Sequence, residues 1–469
     1  MNRSQRGVVL AFAFALCVLT AERAELKAQE PLAQPENAAE APPESSPSDA
    51  VIEEAPEPGG QSANPIGPEV VGQDPSGESN ATGRYYPSAA RFAPVNLVDP
   101  YNRLFPQGGL FSVRGWVNGG VLGNTSNPAS QFNGPYNATE VDNGQLNQLY
   151  LITEKTLASD GSFSLGARAD VLYGSDFFLA QSSGFELREN DNPRWNDSQY
   201  SGLALPQLYG EVGTNETSAK IGHFYTVVGY EGVQAPTNFF YSHSYSYMFA
   251  GPFTNWGALG NRKWGNWNLQ AGMVNGWNHL SEPSNHGAFL GNLKYTGERG
   301  GWWSSFAIIT GQEQNNLANL PTVVNGYANR TRYSFLVSKN LGSRTEYVFH
   351  HWLGTQATGA PGGGTAMWYG IDQYVYYRLA DNWRLGTRVE WFRDEDGTRV
   401  GLTQPSNPNK APLPGSYASW TVGVNWTPLP NVLVRPELRW DTYNGPAKPF
   451  DDGLKTYQLL LGVDGILQF

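Results

Sequence analysis

The chain has 469 residues, 13% of them aromatic, with 54 Gly, 15 Trp, one Cys and a formal net charge of −11. A single cysteine excludes a disulfide framework within the chain, and beyond the first 30 residues nothing approaches the roughly 18 consecutive apolar residues of a membrane-crossing helix. The charge is concentrated: eleven acidic residues and no Lys or Arg lie between positions 30 and 78, so the remainder is close to neutral and offers nucleic acid no basic surface.

In chain order, the basic start "MNRSQRG", the apolar run "VVLAFAFALCVLTA" and the small residues near Ala21 and Ala28 predict a signal peptide over 1–28. Leu16 stands before Cys17 where lipid modification would need a small residue. Residues 29–84 are rich in Pro, Ala, Glu, Ser and Gly, as in "APPESSPSDAVIEEAPEPGG". With few apolar side chains and charge of one sign, this stretch cannot bury enough surface to order itself and reads as a disordered linker. The remaining domain, 105–469, is a succession of period-two windows. They fall near 110–122, 146–157, 161–174, 205–213, 217–225, 254–263, 266–276, 287–297, 301–311, 330–340, 343–353, 367–380, 382–393, 416–427, 430–442 and 455–469.

The joins between windows alternate in length. "ASDG", "TNET", "KWGNW", "GERGG", "NLGSR", "ADNW" and "TPLPN" are tight Gly, Asn, Asp and Pro turns, and between them fall long polar loops such as "SSGFELRENDNPRWNDSQYSG". Alternation of short and long connections is what an even-stranded outer-membrane barrel with both ends in the periplasm requires. The expected fold is therefore all-β: a transmembrane antiparallel up-and-down β-barrel of about sixteen strands.

Within the windows, one face is apolar and the other charged. In "NVLVRPELRWD", Val432, Val434, Pro436, Leu438 and Trp440 face out, against Arg435, Glu437, Arg439 and Asp441 facing in. In "NWRLGTRVEWF", Trp383, Leu385, Val389 and Trp391 face out and Arg384, Arg388 and Glu390 face in. "FSLGARADVLY" turns Arg168 and Asp170 inward, and the first window turns Arg114 inward. These charges are the expected pore lining, and around a water-filled lumen they need no partners. With Arg332 on the same face, and Glu154, Asp441 and Asp464 opposing, the small Arg surplus implies a weak anion preference. Phe163 with Tyr173, Trp383 with Trp391 and Trp420 with Trp426 bracket the apolar band. The last strand alternates up to Phe469, which belongs to the periplasmic girdle. A terminal aromatic on such a strand resembles the signal read by the outer-membrane assembly machinery.

The third long connection, "YTVVGYEGVQAPTNFFYSHSYSYMFAGPF", with "PQLYGEV" and "AKIGHFY" before it and "TNWGAL" after it, resembles the second putative β-barrel porin family of outer membranes. The resemblance centres on 206–260 and extends loosely over the barrel. It implies that this loop folds into the lumen as a constriction carrying Tyr230, Glu231, Tyr241, His243 and Tyr245, in a protein of the outer membrane of a bacterium with a two-membrane envelope. By resemblance to other sixteen-stranded porins it also implies a homotrimer. An external loop or extra strand pair is the alternative, since "FFYSHSYSYMF" alternates enough to be strand.

Other chemistry is weakly represented. The six His have no metal-ligand spacing, and His350 and His351 point to opposite faces of one strand. Nothing resembles a Gly-x-Ser-x-Gly elbow. The expected protein is thus not an enzyme and carries no cofactor. It is a porin passing small hydrophilic solutes or ions by diffusion, with outer-membrane lipid and the assembly machinery as partners. Two alternatives stand beside it: a substrate-preferring channel in which inward Tyr374 and Tyr376 guide a sugar, and a plugged barrel acting as an adhesin through its outer loops.

Overall fold

The computed structural model describes residues 110–135, 143–188, 192–195, 198, 201–280, 286–297, 301–314, 326–400 and 412–469. The expected signal peptide and acidic linker lie outside the described residues.

The described chain is one antiparallel sheet of seventeen segments. In chain order they are β1 (Ser112–Asn124), β2 (Gln145–Lys155), β3 (Ser164–Gly174), β4 (Gly202–Ala204), β5 (Leu208–Gly213), β6 (Thr217–Tyr225), β7 (Thr254–Trp264), β8 (Trp267–Val274) and β9 (Ala288–Thr296). They continue as β10 (Trp302–Gln314), β11 (Tyr327–Asn340), β12 (Thr345–Gln356), β13 (Ala366–Ala380), β14 (Trp383–Asp394), β15 (Gly415–Leu429), β16 (Val432–Asn444) and β17 (Tyr457–Gln468). Both β4 and β5 pair with β3. They are one barrel strand, interrupted where Pro206 cannot donate a ladder hydrogen bond. The wall therefore has sixteen strands, as the alternation predicts, and every expected window holds a strand with ends shifted by a few residues.

The sheet closes because β1 pairs with β2 on one side and β17 on the other. At the seam, Gly115 N–H donates to the Phe469 carbonyl at 2.8 Å, and Phe469 N–H donates back at 2.9 Å. Closure removes the unpaired edges that an open sheet would expose. Among the described residues no helix is long and apolar enough to cross a membrane.

Among the described residues the short joins sit at the end of the barrel that carries Phe469. The tightest follow two-residue hairpin geometry, as at Gly265–Asn266, where Gly265 adopts φ 51° and Trp264 pairs with Trp267. The fully described long connections, such as residues 226–253 and 357–365, leave the opposite end.

The two faces separate as expected from the period-two pattern. On β16, Trp440 is 48% exposed while its neighbour Arg439 is 0% exposed. Trp383, Trp391, Trp420 and Trp426 lie on the outer face and are exposed, and Trp383 stacks on Trp426 at 5.5 Å between ring centroids. This surface of exposed aliphatic and aromatic side chains suits lipid.

Candidate functional site: the lumen and the segment that crosses it

Residues 226–253 connect β6 to β7 and turn into the barrel. The neck is closed by Thr226 N–H donating to the Phe253 carbonyl at 3.0 Å. The side chain of Asn238 then folds the first half into a compact lobe, accepting from Gly232 N–H at 3.0 Å and donating to the Gly232 carbonyl at 2.7 Å. The second half contains a single helical turn, α1 (Tyr245–Phe249), capped by the Ser244 hydroxyl, which accepts from Tyr247 N–H at 3.1 Å. The alternation of "FFYSHSYSYMF" thus does not make a strand pair outside the barrel. Wall carboxylates take up the backbone N–H groups that a partner strand would have used.

Three apolar contacts seat the segment across the lumen. Phe239 and Phe240 pack with Trp303, Leu336, Val348, Tyr374 and Tyr376. Val233 and Ala235 join Trp116, Tyr150 and Ile152, and Tyr245 and Phe249 join Trp352, Trp368, Phe392 and Tyr417. Glycine makes room on both sides: a Cβ on Gly386 of the wall would stand 2.3 Å from the Phe239 ring, and one on Gly251 of the segment would collide with the Arg332 guanidinium of the wall.

Of the expected pore-lining residues, five grip this segment. Arg388 Nη1 donates to Glu231 Oε1 at 2.9 Å and to the Ser242 carbonyl at 2.8 Å. Glu390 accepts from Tyr245 N–H at 2.6 Å. Glu437 accepts from Tyr241 N–H at 2.9 Å and Ser242 N–H at 3.1 Å. Arg435 donates to the carbonyls of Ala235 and Asn238 at 2.9 and 2.6 Å, and Arg439 donates to the carbonyl of His243. His243 Nδ1 lies 3.3 Å from Glu231 Oε2, and Tyr230 Oη lies 3.3 Å from Tyr376 Oη.

Arg114, Arg168 and Asp170 belong to a separate ladder on β1–β3. Arg114 meets Glu154 at 2.5 Å and Arg168 meets Asp170 at 2.7 Å. Asp170 also accepts from the Tyr150 hydroxyl, which bonds Tyr225 at the neck of the segment. Arg384 is buried on the inner face of β14, toward the short-turn end. The Phe469 ring lies at the seam against Gly115.

The expectation that inward charges need no partners is therefore corrected. Arg114, Arg168, Arg388, Arg435, Arg439, Asp170, Glu390, Glu437 and Asp464 are each at most 6% exposed and each has an ionic or hydrogen-bonding partner. Once the segment excludes water from around them, a bare charge would be costly, so the wall charges pair. Burial alone would raise the Glu231 carboxyl, but Arg388, His243 and the Ser244 N–H outweigh it and hold the group down at about 2.

Several contacts were not evident from sequence. Ser334 Oγ, His350 Nε2, His350 Nδ1 and Asp372 Oδ2 form a relay with steps of 2.8 Å. It has the bond order of a hydrolytic triad, but Ser334 is buried and Asp372 Oδ2 is shared with Ser246 Oγ at 2.5 Å. The relay fastens α1 rather than presenting a nucleophile. At the other end of α1, Trp368 Nε1 donates to the Ala250 carbonyl at 3.0 Å and Arg399 Nε to the Phe249 carbonyl at 2.7 Å. Strand parity alone would have turned Asp372 and Trp368 inward. Arg399 sits in a long loop and carries no such signal.

A family model described as "Putative beta-barrel porin-2, OmpL-like" matches residues 111–469. Comparison with curated proteins finds no match. Among solved structures, the loop L8 deletion mutant of OmpT from Vibrio cholerae matches with a TM-score of 0.49 and 9% identity, over 76% of this chain and 99% of its own. An anion-selective porin from Comamonas acidovorans matches with a TM-score of 0.48 and 10% identity, over 76% and 99%. OprB of Pseudomonas putida, in its high-pH structure, matches with a TM-score of 0.48 and 12% identity, over 76% and 94%.

Proposed function

Since the chain belongs to the Putative beta-barrel porin-2, OmpL-like family, and is thus a solute-permeable barrel of the bacterial outer membrane, we propose that it passes small hydrophilic solutes or ions by diffusion through a lumen constricted by residues 226–253. The observation that carries this reading is the segment itself, held from wall to wall by Arg388, Glu390, Arg435, Glu437 and Arg439. In this reading these residues line the narrowest part of the path, with Arg114 and Arg384 lining the lumen toward the short-turn end and Arg168 and Asp170 lining it on β3. Transport of this kind needs no catalytic step: the width of the lumen limits size, and fixed charge biases entry. Phe469 acts as the assembly signal and the barrel works as a homotrimer.

The test is conductance in planar bilayers. Ohmic steps of one size in simple salt support the diffusion porin. The sugar-preferring channel is not favoured, because Tyr374 and Tyr376 are packed against Tyr230 and Phe239 and offer no open ring face. The tight packing of the lumen does favour one rival, a non-conducting barrel working through its outer loops; silence in the bilayer from correctly folded protein would support it.

A further inference from the structure

The wall grips the inserted segment mainly by its backbone. Glu437 and Glu390 accept from the N–H groups of Tyr241, Ser242 and Tyr245. Arg435, Arg388 and Arg439 donate to the carbonyls of Ala235, Asn238, Ser242 and His243. Guanidinium and carboxylate groups thus alternate along β14 and β16 at the spacing of acceptors and donors on a peptide chain. These backbone bonds do not depend on which side chains the segment carries, although Arg388 also bonds the Glu231 carboxylate.

Two small cavities lie beside the segment. One is lined by Asp176, Tyr241, His243 and Arg435, another by Tyr230, Phe239, Tyr376 and Arg388, and each has room for about one ordered water. A solute larger than that fits in neither cavity while the segment is in place. The segment is held by hydrogen bonds that water can replace in turn, and its neck contains Gly229 at φ 110° and Gly251, where the backbone turns without a side chain.

We propose that the inner face of β14 and β16 is a binding seat for zwitterionic, peptide-like solutes, occupied in this structure by the chain's own residues 235–245, so that binding of solute and displacement of the segment are one event. The proposal rests on the porin reading. Its chemistry follows from what the segment leaves behind. When its backbone departs, Arg435 and Arg388 each lose acceptors while keeping Asp464 and Glu390 on the wall, and Glu437 and Glu390 each lose a donor at the same time. A zwitterion supplies a carboxylate and an ammonium together and restores charge-assisted bonds at both. A neutral sugar offers only the weaker neutral ones.

The experiment compares alanyl-alanine with glucose in proteoliposome swelling. It uses the wild-type chain, a Glu437→Gln variant, and a chain in which residues 236–246 are replaced by a short Gly-Ser linker; heat-modifiable migration identifies folded barrels. Wild type is expected to admit alanyl-alanine several-fold faster than glucose. Glu437→Gln should bind the dipeptide about tenfold more weakly, the loss expected from one charge-assisted hydrogen bond. The shortened barrel should pass both solutes fast and without preference. If Glu437→Gln does not fold, a cysteine replacing Phe240 in an otherwise wild-type barrel reports displacement: alanyl-alanine should speed its modification by a thiol reagent and glucose should not. Flux through the shortened barrel with equal wild-type rates for the two solutes, or a preference that survives Glu437→Gln, overturns the seat alone. No flux even through a folded, shortened barrel overturns the porin reading and the seat with it.

Discussion

Arg388 Nη1 on the wall lies 2.9 Å from Glu231 Oε1, the one carboxylate of the inserted segment, and both side chains are buried. Breaking a buried pair from one side leaves a bare charge and costs about 3–5 kcal/mol. Arg388→Ala should therefore lower the unfolding midpoint of the barrel by more than Arg388→Ala combined with Glu231→Ala, because the double variant removes the stranded carboxylate. Denaturant titration followed by heat-modifiable migration measures this. A double variant less stable than the single would contradict the pairing.

Stability should depend on pH through two carboxyls outside the strands. Burial pushes Asp176 up to about 6 from an ordinary 3.8, with the nearby His243 and the hydrogen bond from Gln148 pulling only partly the other way. A raised carboxyl holds its proton more tightly folded than unfolded. Its contribution is complete below pH 3.8 and is lost as pH rises to about 6, by about 3 kcal/mol. Glu231 has the opposite sign: held at about 2 against an ordinary 4.5, it stabilises above pH 4.5 and that contribution is lost as pH falls toward 2. Asp176→Asn should flatten the slope between pH 4 and 6, and Glu231→Gln the slope below 4.5. Unfolding midpoints measured at pH 3, 4.5, 6 and 7 test both signs.

Gly386 gives the Phe239 ring its place, with only 2.3 Å between the ring and a would-be Cβ. Overpacking such a contact costs about 1–3 kcal/mol. Gly386→Ala should destabilise by that amount and loosen the segment, and Phe239→Ala should rescue it. A proteolysis assay cutting within 226–253 reads the loosening directly. Equal protection of wild type and Gly386→Ala would mean that the ring has another place to go.

The orientation of the barrel is tested from outside the cell. Cysteines placed at Ala129 and Leu454, both exposed on long connections, should react with an impermeant thiol reagent on whole cells. A cysteine at Asn215, exposed in the short turn between β5 and β6, should react only after the outer membrane is opened. Labelling at Asn215 alone would invert the barrel. The loop positions Asn137 and Asn407, equally suitable from sequence, lie outside the described residues.

Sixteen strands were legible because each carries its own record. Trp440 beside Arg439 says which face meets lipid, and "KWGNW" or "ADNW" says where the chain turns. Period two needs only neighbouring residues, so strand and face emerge without knowledge of distant partners. The pairing of the wall charges with residues 226–253 was not legible, because it depends on residues far apart in the chain meeting. Arg388 reads as a solvated pore charge until Glu231, 157 positions away, is found against it. Gly386 reads as a small inward residue until Phe239 is found on it. The contacts between the wall charges and the backbone of residues 226–253 had no local pattern to announce them.

Ion selectivity follows from those pairings. The sequence alone suggested a surplus of inward Arg and a weak anion preference. The inner face also carries Glu211, Glu313, Glu346 and Asp372, set against Lys220, Lys294 and Arg330, so the surplus is offset. Arg435 is tied to Asp464, Arg439 to Asp441, and Arg330 to Glu313. Wild-type current is therefore expected to discriminate between anion and cation by less than about one kT. Arg435→Ala with Arg439→Ala removes two guanidiniums and leaves Asp464, Asp441 and Glu437 on one stretch of wall. Several uncompensated carboxylates in a narrow aqueous path shift the local potential by more than about a kT, so the double variant should become clearly cation-selective. Reversal potentials in a salt gradient measure the shift. A double variant as unselective as the wild type would mean that ions do not pass along β16 and that the conducting path lies against another part of the wall.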